Sequence, residues 1–445
     1  MTQSPNQRID LSRLPAALQN ATGKVVGQGA LMLAASAAVN GLSYLYHVAM
    51  GPLLGPARYG EFTTLLGVLT IIAVPMSVLQ GGVTQHTARL AALSRQVNLA
   101  TFFPSVIRPV LIYGSVVAIA LVMLRSSIAS ILHLPSDSPV LVLAFVFALS
   151  LLSPLTMGAL NGLQRFAALG GAMVLATLVR CVSGLVLVVL GAGAMGALAG
   201  SGFAAVSVLL MGVFLAPAFF RLRGNKEEAQ ADASRFPTDV LLGVLALNVL
   251  LYGDVTAVKH FFTAEEAGQY AAAATIGKAL LFLPGTISLL LLPKVTHKHA
   301  LGEQTASSLR LAVAALLLLC APLALVFLLA PALPINLTYG AAYLPSTSYL
   351  GLYSIAMVIY ALLNLLLWYY LAVGNRRFSL VLLAGALAQA GGFALFHHDP
   401  QQIVAVVAGT SALILVLSEL VCGGLKGMPT AKAALAGVVA SASRS

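Results

Sequence analysis

Apolar stretches of about 20 residues, separated by short charged or Pro/Gly-rich breaks, fill almost the whole of the 445-residue chain, and one such stretch suffices for a helix to cross a hydrocarbon core of about 30 Å. Strands of a transmembrane barrel would instead show alternation over about ten residues, and a run such as Val182–Leu190 shows none. The expected fold class is therefore all-α, a polytopic membrane protein. Only 8% of the residues are charged, against about a quarter in a soluble domain, which excludes a soluble enzyme carrying one anchor.

The apolar runs predict spans at 25–50, 62–84, 105–124, 139–161, 166–190, 192–219, 239–261, 268–293, 308–330, 348–371, 377–396 and 401–422, twelve in all. The first run is too long for a signal peptide, so residues 1–24 are expected to remain as a cytoplasmic N-terminal segment. In a soluble protein a net charge of +11 would suggest nucleic acid. Here its distribution assigns it to loops and gives no nucleic-acid partner. With the N-terminus inside, nineteen Lys and Arg fall on the cytoplasmic side and only Arg58, Arg125 and Lys259 outside; Arg180 and Lys278, within spans, complete the 24. This asymmetry follows the positive-inside rule and predicts cytoplasmic termini. Cys181, Cys320 and Cys422 lie far apart in apolar surroundings and imply no disulfide framework.

The polar stretch 221–238 reads as a cytoplasmic linker between a bundle at 25–220 and another at 239–422, followed by a tail at 423–445. An offset of 208 residues superposes Asn40 on Asn248, Leu42 on Leu250, Tyr44 on Tyr252, Gly60 on Gly268 and Phe62 on Tyr270, with Pro75 within one residue of Pro284. Matches at one register mark an internal repeat. With six spans in each half, both enter from the cytoplasm, so the repeats are parallel. Two parallel-repeat six-helix bundles around a central cavity is the expected architecture.

The passage Gly55-Pro56-Ala57-Arg58-Tyr59-Gly60-Glu61-Phe62, together with Thr263-Ala264-Glu265-Glu266-Ala267-Gly268-Gln269-Tyr270-Ala271, Ile276-Gly277-Lys278-Ala279-Leu280 and Leu292-Pro293-Lys294, resembles the polysaccharide-transporter, oligosaccharide-flippase branch of the multidrug/oligosaccharidyl-lipid/polysaccharide exporter superfamily. The resemblance covers both halves. It implies a flippase of the inner membrane, without cofactor, that moves a polyprenyl-diphosphate-linked glycan outward among membrane lipids and polysaccharide biosynthesis machinery. Lipid II flippases of the superfamily usually carry fourteen helices, and twelve are expected here.

Ionisable side chains deep in a bilayer are costly and mark candidate sites. Arg180 and Lys278 fall near the middle of their spans, each beside small residues, and are candidate contacts for an anionic headgroup; a guanidinium fork suits a phosphate better than an ammonium does. The competing reading pairs them with Asp254 or Glu419. Asp254 and Lys259 are a candidate ion-coupling site or a structural pair. On a helical wheel Asn248, Tyr252 and Lys259 share a face within about 40°, with Asp254 about 120° away, toward a neighbouring helix. Helix one carries Ser36, Asn40, Ser43, Tyr44 and His47 on one stripe. Asn40, Tyr44, Asn248 and Tyr252 are thus candidate substrate-binding residues on opposing walls, against a reading as ordinary interhelical hydrogen bonds. Pro75 and Pro284 are candidate hinges.

Three classes compete. A cation-coupled drug antiporter of the same superfamily commonly has an acid in helix one, and there is no Asp or Glu between Val25 and Met50. A membrane glycan polymerase or ligase needs a sizeable outer loop, yet the longest outer segment, about Pro331–Thr347, is uncharged. There is no P-loop or HExxH pattern, so no catalytic or metal-ligating set is expected.

Overall fold

The computed structural model describes residues 16–92, 99–220, 238–281 and 306–423. Among them every regular element is a helix, the arrangement that satisfies backbone donors and acceptors internally where no water reaches. Among the described residues nine stretches are long and apolar enough to cross a membrane. Large apolar side chains such as Met123, Leu190, Phe214 and Leu337 lie bare on the outside, each more than two-thirds exposed, a surface that only a bilayer covers. The chain is a multi-pass membrane protein.

The first helix, α1 (Ala16–Ile72), departs from expectation. The expected spans at 25–50 and 62–84 are joined without a loop: two helical segments meet at Gly55, which is itself not helical, with φ 68° and ψ 168°. Pro52 and Pro56 flank the bend. They lack donors, and only glycine takes that φ without strain, so the direction changes at one residue where a loop was expected. The next break, at Ala73, precedes α2 (Val74–Ala92). Met76 bonds the Ala73 carbonyl at 3.0 Å, and the Tyr113 hydroxyl donates to the freed Ile72 carbonyl at 2.8 Å. Pro75 therefore sits at a real interruption of the expected second span.

Then come α3 (Leu99–Met123), α4 (Arg125–Ile131), α5 (Ser138–Ser150), α6 (Ser153–Gly162), α7 (Phe166–Leu187) and α8 (Gly193–Phe220). Positive φ at Gly191 and Gly193 turns the chain between α7 and α8. The second set comprises α9 (Thr238–Phe261), α10 (Ala264–Lys278), α11 (Ala306–Leu329), α12 (Ala332–Thr338), α13 (Thr347–Ala372), α14 (Arg377–Leu395) and α15 (Pro400–Cys422). Helix α10 starts at a capping box in which Thr263 and Glu266 satisfy one another's backbone donors. Span 268–293 leaves the described residues after Leu281, so the count of twelve stays an expectation. Pro284, and the linker 221–238 apart from Thr238, also lie outside the described residues.

Helix α1 packs against α7 and α8 on one side and α9 and α10 on the other. The crossing with α10 is close because two glycines meet there. A Cβ on Gly60 would lie 2.8 Å from the Gly268 nitrogen, and one on Gly268 would collide with the Pro56 carbonyl. These two glycines are the pair superposed by the 208-residue offset.

Candidate functional site

Arg180, on α7, is held by neutral groups of α1. Its Nη2 donates to Ser43 Oγ at 2.8 Å, and its guanidinium lies 5.4 Å from the centre of the Tyr46 ring. Tyr46 is fixed in turn by donating to the Ala197 carbonyl at 2.8 Å. Glycines permit this approach: a Cβ on Gly184 would strike the Tyr46 hydroxyl, and one on Gly200 would lie 2.7 Å from the Arg180 carbonyl. Among the described residues no carboxylate pairs with Arg180, and its Nε is buried without a hydrogen-bond partner.

Lys278 is placed otherwise. Its Nζ lies 3.4 Å from Asp254 Oδ1 and 4.8 Å from the centre of the Tyr252 ring. Asp254 is 1% exposed, and its Oδ2 accepts from Tyr353 at 2.6 Å and Tyr270 at 3.2 Å. As the helical wheel suggested, Asp254 faces neighbouring helices rather than the stripe of Asn248 and Tyr252. The pairing of Asp254 with Lys259 is corrected: Asp254 engages Lys278, whereas Lys259, 2% exposed, interacts electrostatically with Glu61, which also feels Arg58. The two candidates sit five residues apart on one helix, a spacing that turns them away from each other.

The remaining candidates are spread along the same helices. Asn40, Tyr44, Asn248 and Tyr252 are half-buried. Asn248 spends an amide proton on the Val244 carbonyl of its own helix at 2.8 Å, and Tyr44 reaches Thr338 of α12. A cavity of ≈ 210 Å³ opens between α1, α9 and α14, with Val68, Ile72, Val249 and Phe393 in its lining. Neither cation lines it.

Around the Gly55 bend of α1, the part that the charge distribution assigns to the outer face, a tyrosine cluster joins distant parts of the chain. The hydroxyl of the fully buried Tyr59 lies 2.8 Å from that of Tyr339, 3.0 Å from Thr275 Oγ1 and 3.2 Å from His47 Nδ1. Tyr343 stacks edge-on to Tyr59 and donates to the Gly51 carbonyl at 2.7 Å. With the glycine crossing beside it, this cluster ties α1 to α10 and to the segment that follows α12. Sequence reasoning did not single out Tyr46, Thr275, Tyr339 or Tyr353, because their importance lies in partners far along the chain. Ser43 and His47 carried a signal as members of the helix-one stripe, and Tyr59 through its place within the Gly55–Phe62 motif.

Residues 50–348 match the profile of a family described as polysaccharide biosynthesis protein. The chain belongs to that family. As a polysaccharide biosynthesis protein it shares its fold with solved transporters. One is a multidrug resistance MATE family transporter of the MOP superfamily in an inward-facing conformation, 16% identical, with TM-score 0.66, 90% of this chain and 100% of that one covered. Another is the lipid II flippase MurJ in an inward closed conformation, 13% identical, TM-score 0.67, with 88% and 87% covered. A third is a MOP superfamily transporter from Pyrococcus furiosus, 16% identical, TM-score 0.61, with 90% and 97% covered, for which a reversed polarity of the binding pocket suggests a different function. These likenesses place this polysaccharide biosynthesis protein in the MOP transporter fold. No curated protein sequence matches the chain.

Proposed function

We propose that this protein is a flippase that carries a polyprenyl-diphosphate-linked oligosaccharide, or a related polysaccharide precursor, from the inner to the outer leaflet of the inner membrane by alternating access. Both termini face the cytoplasm, and the halves 25–220 and 239–422 rock about the interface between α1, α9 and α10. Arg180 is the primary contact for the diphosphate and Lys278 a second, with Asn40, Tyr44, Asn248 and Tyr252 along the walls. Pro75 and Pro284 act as hinges. The observation that carries this reading is a guanidinium without a carboxylate partner among the described residues, within the helices of a polysaccharide biosynthesis protein with a transporter fold. A fixed fork and a full charge in a medium of low dielectric suit a diphosphate. They are ill-suited to the cationic drugs of the alternative antiporter, and no Asp or Glu lies between Val25 and Met50 to serve them.

Glycan export in cells lacking the protein tests the reading. Arg180→Gln should lower export by about tenfold, the loss of roughly 1.4 kcal/mol of binding, at unchanged abundance. Arg180→Lys should restore part of it, because a point charge replaces a fork. Full export by the Arg180→Gln/Lys278→Gln double variant would overturn the reading. Reporter fusions after Ser445 and within 221–238 should both score cytoplasmic, and an outer signal from either would reverse the topology.

A further inference from the structure

His47 lies on α1 between the surroundings of Arg180 and the tyrosine cluster that leads toward Lys278. On α1 it lies one turn beyond Ser43, which holds Arg180, and through Tyr59 it connects to Thr275, one turn before Lys278 on α10. Arg180 and Lys278 are the charges that act on its ring. Tyr46, Tyr59 and Phe62 wall it at centroid distances of 6.3, 6.2 and 5.5 Å. Asp254 is engaged with Lys278, at 3.4 Å.

Proton positions around Tyr59 follow from its partners. A tyrosine hydroxyl has one proton to give and lone pairs to accept, and this one has three neighbours. Thr275 gives its own proton to the Ala271 carbonyl at 2.8 Å. Making all three contacts hydrogen bonds at once requires Tyr59 to donate to Thr275 and to accept from Tyr339 and from His47. That arrangement puts a proton on His47 Nδ1 and, in the neutral ring, leaves Nε2 as a bare acceptor. Nε2 makes no hydrogen bond among the described residues. In the empty site a proton there would be a third positive charge beside Arg180 and Lys278. A diphosphate brings two negative charges and reverses that electrostatic balance.

We propose that His47 is a third ligand of the diphosphate, one that takes a proton from water onto Nε2 as the headgroup enters and donates it in a hydrogen bond to a phosphate oxygen, while Nδ1–H stays on Tyr59. The proposal rests on the flippase reading and deepens it. One proton is bound per headgroup and returns to water when the headgroup leaves. His47 is then a specificity residue: it rewards a ligand that brings negative charge and offers a neutral glycan only an acceptor.

Calorimetry on the protein in lipid nanodiscs, with synthetic farnesyl diphosphoglucose as probe, tests this. The probe is a diphosphate diester and lacks the phosphate monoester ionisation near neutral pH. Wild-type affinity should fall by up to about tenfold per pH unit between about pH 6.5 and 8, with one proton taken up per probe bound, read from buffers of different ionisation enthalpy. His47→Asn keeps an N–H toward Tyr59 and has nothing at the Nε2 position; it should bind without proton uptake and without pH slope. His47→Gln, an uncharged donor, should also show no slope and serves if the Asn variant fails to accumulate. Wild-type binding without proton uptake, or the same slope in either variant, overturns the His47 proposal while leaving the flippase reading intact. A probe that does not bind wild type, or binds Arg180→Gln equally well, removes the cation site and this proposal together.

Discussion

Arg180 and Lys278 are both cations set among apolar helices, and their surroundings differ in one respect: Lys278 has a buried carboxylate at 3.4 Å, whereas Arg180 is held by a serine hydroxyl and the face of a tyrosine. Around Lys278 the charges cancel within the protein, and two tyrosines complete the shell of Asp254. Around Arg180 the protein supplies orientation without neutralisation. A charge that costs several kcal/mol to desolvate is oriented but left unmatched, which suits a site whose missing counter-charge arrives with a ligand. The pair at Lys278, with Tyr353, holds α9, α10 and α13 together, and in the proposed flippase reading its cation is only a second contact for the ligand.

Breaking the balanced side should have the largest effect. Asp254→Asn leaves Lys278 buried without its counter-charge, and a cost of about 3–5 kcal/mol is expected, read as an early thermal transition in detergent micelles. Asp254→Asn/Lys278→Met should recover most of it. A double variant no more stable than the worse single one would show that the two groups are not a pair.

A smaller loss, about 1.5–3 kcal/mol, is expected of Tyr353→Phe, which removes a hydrogen bond to the charged Asp254. Thermal melting again checks it, and the loss should vanish when Asp254 is already Asn. An equal loss in both backgrounds would assign it to packing of Tyr353 against Tyr270 instead.

The smallest effect on stability is expected of Arg180→Gln. It forfeits the contact with Tyr46 and the hydrogen bond to Ser43 but also removes the desolvation cost of the charge, a net loss of about 1 kcal/mol. If it melts as early as Asp254→Asn, the contrast between the two cations fails and Arg180 is a structural residue. If it melts near wild type and binds the diphosphate probe poorly, the contrast is sharpened.

Much of the fold was legible because a bilayer demands it. Span length, the absence of alternation and the one-sided Lys and Arg each reflect a constraint acting within a single helix and its flanking loops. The bend at Gly55 was not legible as a bend, since Pro52, Gly55 and Pro56 read as a loop; whether helical bonding resumes at once depends on what the chain packs against next, here α10 with Gly268 at the crossing. Of the candidate site, the identity of Arg180 and Lys278 was legible from the cost of charge in an apolar span. The stripe from Ser36 to His47 was legible too, though not that Ser43 and His47 would be the members that meet Arg180 and the outer cluster.

By itself, then, the sequence determined that the chain spans a membrane many times as helices, and which few ionisable groups must be accounted for, because both follow from local burial and the rise of a helix. Only the tertiary structure decided which acid answers which base. Asp254 meets Lys278 24 positions away and Tyr353 99 away, and Arg180 meets Ser43 137 away, through helix crossings set by glycines whose closeness no periodicity records. A contact ion pair needs its charged atoms within about 4 Å of each other. Charge pairing is therefore settled by which helices touch, and that information resides in the packing of the whole bundle.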